Sequence, residues 1–228
     1  MLHGYGLSLL QGALVTLSVA ALSLLIAAAL GLAGALAKLS RSRVLRALGT
    51  AYTTLIRSVP DLVLMLLIFY GGQIAVNHLG ERLGWEFIDI DPFAAGVLTI
   101  GFIFGAYLAE VIRGALLAVP PGQREAGIAF GMSAGQVLWR IVGPQMLRHA
   151  LPGLSNNWLV LIKSTAIVSV IGLSDLMNRA AQAAGSTREP FLFYAAAAVV
   201  YLAFTSLSEW GFALLQRRLA IGTRKVDL

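Results

Sequence analysis

Five long apolar runs alternate with shorter polar segments along this chain. The first extends from Gly4 to Ala37 without a single charge. The second goes from Leu62 to Gly80, and the third from Pro92 to Ala109 and on to about Val119. The fourth, Leu151 to Leu173, is interrupted only by Lys163, and the fifth reaches from Pro190 to about Leu215. A bilayer core is crossed by about 20 apolar residues of helix. The pattern therefore predicts an all-α integral membrane protein, a single domain over 1–228. Its spans fall at approximately 8–37, 60–80, 92–119, 151–173 and 190–215, with a polar loop over approximately 120–148. Pro60, Pro92, Pro152 and Pro190 stand at the heads of runs. A first-turn proline suits that position, because its missing N–H would have no intrahelical acceptor anyway. Five crossings put the two termini on opposite sides.

Composition supports lipid as the solvent. Of 228 residues, 58% are hydrophobic and only 12% charged, with a mean hydropathy of +0.80. Soluble domains carry roughly 25% charge. Ala35-Leu36-Ala37 resembles a signal-peptidase site, but the apolar run before it far exceeds the roughly 7–15 residues of a signal h-region. No Lys or Arg precedes it either, so the helix is expected to be retained. The absence of cysteine excludes disulfides and thiolate metal sites. His3, His78 and His149 lie far apart without ligand spacing.

The net charge of +6 reads as a loop bias and not as a nucleic-acid surface. Lys38, Arg41, Arg43, Arg46 and Arg57 lie between the first two runs or at the head of the second. Arg113, Arg124, Arg140 and Arg148 flank or follow the third, and Arg217, Arg218, Arg224 and Lys225 form the tail. Only Arg82, Arg179 and Arg188 fall on the other side. Basic residues concentrate in cytoplasmic loops. The N-terminus is thus expected in the periplasm, and the C-terminus and the 120–148 loop in the cytoplasm.

Small residues recur at four-residue spacing, as Ala27, Gly31 and Ala35 on the first span and as Gly101, Gly105 and Ala109 on the third. Such stripes let helices approach closely in lipid, although chains rich in Gly and Ala also produce them by chance. The polar loop reads as a short amphipathic helix, a turn at Gly135 and a second helical piece. Gly127, Gly131 and Gly135 within it suggest a surface that something approaches closely, because glycine costs a helix about 1 kcal/mol against alanine.

Ionisable groups inside spans mark a pathway or a buried pair. Glu110 and Arg113 are three apart and share a helical face, which favours a structural pair over substrate contact. Lys163 falls about ten residues into the fourth run, near mid-membrane. The triplet Lys163-Ser164-Thr165 is expected to face a cavity or another subunit, with gate and structural roles both open. The acidic external segment Glu81 to Asp91 reads as a solvated loop, with a seat for a binding protein or an attraction for a cation as alternatives. No G-x-x-x-x-G-K-[ST] phosphate loop, G-x-S-x-G or H-E-x-x-H is present, which excludes the usual routes of ATP hydrolysis by this chain itself.

Gly105-Ala106-Tyr107-Leu108-Ala109-Glu110-Val111-Ile112-Arg113-Gly114, followed by Val119-Pro120-Pro121-Gly122-Gln123-Arg124-Glu125-Ala126, resembles the signature of the polar-amino-acid ABC importer permeases. Pro144-Gln145, Leu151-Pro152-Gly153 and Leu161-Ile162-Lys163-Ser164-Thr165 continue it. So does Arg57-Ser58-Val59-Pro60, where Ser58 and Val59 replace the more usual Gly-Thr. Tyr52 to Gly71, Ile88 to Pro92 and Leu151 to Thr165 look like the Q-type permeases of histidine/lysine/arginine/ornithine importers, and arginine and opine permeases share much of this. The resemblance implies a type I ABC importer permease fold in the bacterial inner membrane. It implies a pathway shared with a second, M-type permease, two ATP-binding subunits that hold ATP and Mg, and a periplasmic amino-acid-binding protein. This chain itself would need no cofactor. ATPase coupling falls by that resemblance to Glu125, Ala126, Gly127, Gly131, Ile141 and Pro144, with Gly127 standing where a second Ala is usual and Gly143 where a Leu is usual. Glu110, Arg113, Lys163, Ser164 and Thr165 are candidates for the path or its gate. A glutamine or other polar-amino-acid importer and an ion-coupled secondary transporter are the competing readings. Five spans without inverted broken-helix repeats count against the latter.

Overall fold

A computed structural model describes residues 2–219, and its regular elements are all helical. Five of the helical stretches are long and apolar enough to cross a bilayer. Arg224 and Lys225 lie outside the described residues. The first crossing, α1 (Gly6–Leu39), is followed after Ser42 by α2 (Arg43–Ser58). The next helix, α3 (Asp61–Leu83), ends at Gly84 in a left-handed conformation. A returning segment then leads to α4 (Pro92–Ala118), capped by Asp91, whose carboxylate accepts from the Ala94 N–H at 2.8 Å.

The segment between the first two spans, read above only as a basic connection, is the helix α2. Its inward face consists of Gly49, Tyr52, Thr53 and Ile56 at helical spacing. Three of these four are glycine or hydroxyl-bearing residues, while Val44, Leu48 and Leu55 recur at helical spacing on the exposed side, a period that a reading based on long uncharged runs passes over. The Tyr52 hydroxyl donates to the Phe102 carbonyl at 2.6 Å and ties α2 to the middle of α4.

The small-residue stripes form the main seam of the bundle. The most extensive helix contact is between α1 and α4, and Ala27, Gly31, Ala35, Gly101, Gly105 and Ala109 are all buried. A Cβ at Gly31 would stand 2.7 Å from Leu108 Cβ, and one at Gly101 would stand 2.7 Å from Ile26 Cβ. The backbones are therefore as close as glycine permits. Helix α4 is the centre, with 67% of its most apolar stretch buried against 11% for α3 and for α9. The outward faces of α3 and α9 remain apolar and unpartnered within this subunit.

The fourth crossing differs from the sequence expectation. Helix α7 (Gly143–Ser164) begins eight residues before the apolar run, so Pro152 lies inside it and not at its head. Proline in a helix interior leaves the carbonyl four residues back without its donor, yet the helix continues. A 3-10 segment, Thr165–Ile171, completes the crossing and ends at Gly172 with φ 92°. Next comes a second helix the apolar pattern did not show, α8 (Leu176–Thr187), whose small inner residues Ala180, Ala183 and Ala184 pack beside α1 and α9. The last crossing, α9, spans Pro190–Leu219. His3 reaches Glu189 at 3.1 Å, so the N-terminal residues and the head of α9 share one end of the bundle.

Candidate functional site

The polar loop is built in three pieces: α5 (Pro121–Ala129), α6 (Ala134–Val137) and a π-helical turn, Leu138–Val142, that runs into α7. The turn between α5 and α6 is at Gly131, with φ 80°, and not at Gly135, which lies inside α6 with open space around it. The Met132 N–H donates back to the Gly127 carbonyl at 3.1 Å. Ser133 and Gln136 then cap α6 reciprocally, each side chain taking the other's backbone N–H.

Gly127 is the buried hinge point of this loop. A Cβ there would meet Ile141 Cδ1 at 2.7 Å and Val137 Cγ2 at 2.9 Å. Two residues expected on the coupling surface, Gly127 and Ile141, are thus brought together by close approach of α5 to the π turn. The second departure has a similar cause. A Cβ at Gly143 would stand 2.9 Å from the Leu138 carbonyl oxygen. Pro144 follows, and its ring would crowd the carbonyl four residues back in an ordinary helical turn. The wider π turn relieves that crowding.

Glu125 and Ala126 are exposed on α5, and Pro144 is exposed at the start of α7. Around them lie large apolar side chains that the sequence reading did not single out. Phe130 is 88% exposed and Trp139 80% exposed. Two bulky aromatics standing in a polar loop were the available signal. A groove of about 730 Å3 lies in the same loop, lined among others by Leu117, Pro121, Arg124, Glu125, Ile128 and Leu138.

Glu110 and Arg113 do pair, Arg113 Nε to Glu110 Oε2 at 3.1 Å. The second partner was missed: the Lys38 ammonium, at the end of α1, donates to the other carboxylate oxygen. Lys38 also donates to the Thr53 hydroxyl of α2 at 2.9 Å. One carboxylate on α4 therefore gathers α1, α2 and its own helix. Two cations on one carboxylate, with a hydroxyl completing the set, form the balanced arrangement that lets ionised groups persist among packed helices.

Lys163, Ser164 and Thr165 do not face one cavity. Thr165 is buried and its hydroxyl donates to the Ile162 carbonyl at 2.6 Å, while Ser164 is half-buried. Lys163 is exposed at the rim of a hollow of about 310 Å3 that also touches Met177, Tyr194 and Tyr201. Because α7 starts at Gly143, Lys163 lies in its last turn, just before the 3-10 segment that completes the crossing. A cation there meets the negative end of the helix dipole. The acidic segment is likewise ordered: the Ile88 N–H donates to Asn77 Oδ1 at 2.8 Å and the Ile90 N–H to Gln73 Oε1 at 2.9 Å, which folds residues 84–91 back onto α3.

Residues 27–221 match the family described as binding-protein-dependent transport system inner membrane component. The chain belongs to this family. It is 51% identical to the histidine/lysine/arginine/ornithine transport system permease protein HisQ of Salmonella typhimurium, over 100% of both chains. It is 44% identical to the nopaline transport system permease protein NocQ of Agrobacterium fabrum, over 97% of this chain and 94% of that one. Among solved structures, an amino acid ABC transporter crystallised with histidines superposes with a TM-score of 0.80 at 33% identity, covering 94% of this chain and 95% of the other. The methionine ABC transporter MetNI superposes with a TM-score of 0.76 at 19% identity, covering 98% and 100%, which shows the shared fold. The architecture is that of type I ABC importer permeases.

Proposed function

We propose that this permease carries cationic amino acids, of the histidine, arginine, lysine and ornithine class, inward across the bacterial inner membrane. The observation that carries the reading is full-length identity of 51% to a permease whose name gives those substrates. A related opine importer is the second reading, favoured by the similarity to the nopaline permease. In this proposal the chain pairs with an M-type permease, takes loaded binding protein on the periplasmic side and docks two ATPases that hold ATP and Mg. The N-terminus is periplasmic and the C-terminus cytoplasmic.

Coupling runs through Glu125, Ala126, Gly127, Gly131, Ile141 and Pro144. Glu125 and Ala126 present the outer face of α5, while Gly127 and Ile141 lock α5 to the π turn so that a push on one moves the other. Pro144 sits where the turn enters α7, which carries the movement into the membrane. Phe130 and Trp139 belong to the same docking face. ATP binding to the ATPases then biases the bundle between inward-open and outward-open forms by differential contacts at this face. Glu110, Arg113 and Lys38 hold α1, α2 and α4 together as one moving unit. Lys163, Ser164 and Thr165 mark the junction where α7 changes pitch.

The test is reconstitution of the permease pair, the ATPases and the binding protein in proteoliposomes. Labelled arginine or histidine should accumulate only with ATP and Mg on the ATPase side. Preferential uptake of glutamine or glutamate would overturn the substrate class, and uptake driven by an ion gradient without ATP would overturn the mechanism.

A further inference from the structure

Helix α7 begins eight residues before the apolar run, so its first two turns stand outside the apolar stretch. These turns carry Gln145, Arg148 and His149, which with Pro152 occupy the i, i+3, i+4 and i+7 positions of one helical face. That face looks toward the end of α9, and together with Gln216 and Leu219 it lines a hollow of about 370 Å3. Arg148, His149 and Gln216 are exposed, whereas Leu151, also in the lining, is buried and Leu219 half-buried. Arg148 precedes Leu151, the first residue of the apolar run, by one helical turn, roughly 4.5 Å along the axis. The rim of the hollow is therefore cationic and its floor apolar, and the two meet where the apolar stretch starts.

The α7 side of the hollow is held by the polar loop. The Gln145 amide donates to the Ile141 carbonyl at 3.0 Å and to Gln123 Oε1 of α5 at 3.2 Å. The charge around the hollow is of one sign. Helix α7 contains no Asp or Glu, and in α9 none follows Glu209, which lies seven residues, roughly 10 Å, before Gln216. Arg217 and Arg218 come directly after Gln216. Glu125, the one acid in the 120–148 loop, lines the separate groove beside α5 and α6.

We propose that the hollow between α7 and α9 binds an anionic phospholipid, its phosphate at Arg148 and His149 and an acyl chain against Leu151 and Leu219. Charged donors make short, strong hydrogen bonds to phosphate oxygens, and the apolar floor takes the chain beneath. A zwitterionic lipid offers the same phosphate but brings an ammonium group that the rim repels. A soluble phosphate lacks the chains and leaves the floor uncovered. The lipid belongs to the leaflet on the side of the polar loop, and its seat is tied to α5 through Gln145. The site depends neither on the amino acid carried nor on which end faces the cytoplasm.

The test uses the assembled permease–ATPase complex in detergent, titrated with dioctanoyl phosphatidylglycerol and with dioctanoyl phosphatidylcholine, with retained lipid read by native mass spectrometry. The wild-type complex is expected to bind phosphatidylglycerol at least about fivefold tighter, the contribution of one basic residue to an anionic lipid. The double variant Arg148→Gln/His149→Gln should lose that preference with phosphatidylcholine binding unmoved. Arg41→Gln/Arg43→Gln, which removes basic charge outside the hollow, should keep it. No preference in wild type, a preference that survives in the first variant, or an equal loss in both variants overturns the proposal. Displacement of phosphatidylglycerol by glycerol phosphate also overturns it, since the hollow would then take a soluble anion. A preference that appears only after the ATPases are stripped makes the hollow part of a protein interface and equally overturns it. Should the first variant not accumulate, Gln216→Trp decides, because it fills the hollow from an exposed position and leaves every charge in place. That variant must lose the preference, and wild-type selectivity in it places the lipid elsewhere.

Discussion

Single atoms decide two positions. At Gly127 an added Cβ meets the far end of Ile141 at 2.7 Å and a Val137 methyl at 2.9 Å. A methyl can displace one flexible chain terminus, and alanine favours a helix by about 1 kcal/mol over glycine. Gly127→Ala is therefore expected to leave thermal stability in detergent within about 1 kcal/mol of wild type. Gly127→Val adds branches against both neighbours and should cost about 1–3 kcal/mol, the usual penalty of overpacking. A lowered melting midpoint, with the ATPase lost on purification, would report it; an unchanged midpoint for Gly127→Val would refute the close approach. The second position is Asp175, buried at the cap of α8. Its Oδ1 accepts from the Asn178 N–H at 2.8 Å, while Oδ2 is buried without a partner. Arg179 is no help, being bound to Ser8, Gln11 and the Ser174 carbonyl. Burial pushes the Asp175 carboxyl up to about 6, against backbone hydrogen bonds that pull it down. The folded state then holds its proton more tightly than the unfolded chain. Stability is consequently highest below the usual carboxylate range and is lost as pH rises from about 4 to 6, by on the order of 3 kcal/mol. Asp175→Asn keeps a capping acceptor and should melt higher than wild type at pH 7, with a flat profile from pH 4 to 7. An unchanged pH profile in that variant would refute the assignment.

Elements were legible where their signal was hydropathy and illegible where it was size. The long apolar runs pointed to the five crossings, because burying them in lipid needs no special partner. Helices α2 and α8 escaped notice because each is short and interrupted by charged or polar residues, so neither forms a long apolar run although both are amphipathic at the helical period. The Gly31 and Gly101 stripes were discounted for the opposite reason: small residues are common in such chains, and only a three-dimensional partner distinguishes a seam from chance. Pro152 misled because a proline before an apolar run looks like a helix start, whereas α7 tolerates it internally. In the loop, the family resemblance pointed to Gly127, Ile141 and Pro144 but could not tell which contacts they make. Phe130 and Trp139 give this element a separate prediction. Phe130→Ala and Trp139→Ala remove side chains 88% and 80% exposed, so the isolated permease should keep its melting midpoint within about 0.5 kcal/mol. If the aromatics anchor a partner, each truncation should weaken ATPase binding by at least about 1 kcal/mol, roughly a fivefold loss. Undiminished ATPase co-purification in the double variant would remove them from the docking face.

For the whole molecule the outstanding question is which end faces the cytoplasm, and the structure changes the argument without reversing it. Arg57 no longer counts, since its guanidinium carbon lies 5.3 Å from the centre of the Tyr107 ring, near the middle of α4. Lys38 and Arg113 are neutralised locally by Glu110. Among the described residues, Arg41, Arg43, Arg46, Arg124, Arg140, Arg148, Arg217 and Arg218 remain on one side of the count, against Arg82, Arg179 and Arg188 on the other. The ends are physically defined. His3 meets Glu189 at the head of α9 and Gly12 of α1 meets Arg179 of α8, while Gln145 and Arg148 at the start of α7 share a hollow with Gln216 near the end of α9. Eight basic residues against three still meets the rule that Lys and Arg mark cytoplasmic loops. The chain has no cysteine, so single cysteines can be introduced and probed in intact cells with a membrane-impermeant maleimide. Cysteines at Ser186 and Asn77 should label from outside. One at Ser42, which caps α2 through the Leu45 N–H, should label only after the membrane is opened. If Ser42→Cys labels in intact cells while Ser186→Cys does not, the permease is inverted, and the loop with Phe130 and Trp139 could not meet an ATPase in the cytoplasm.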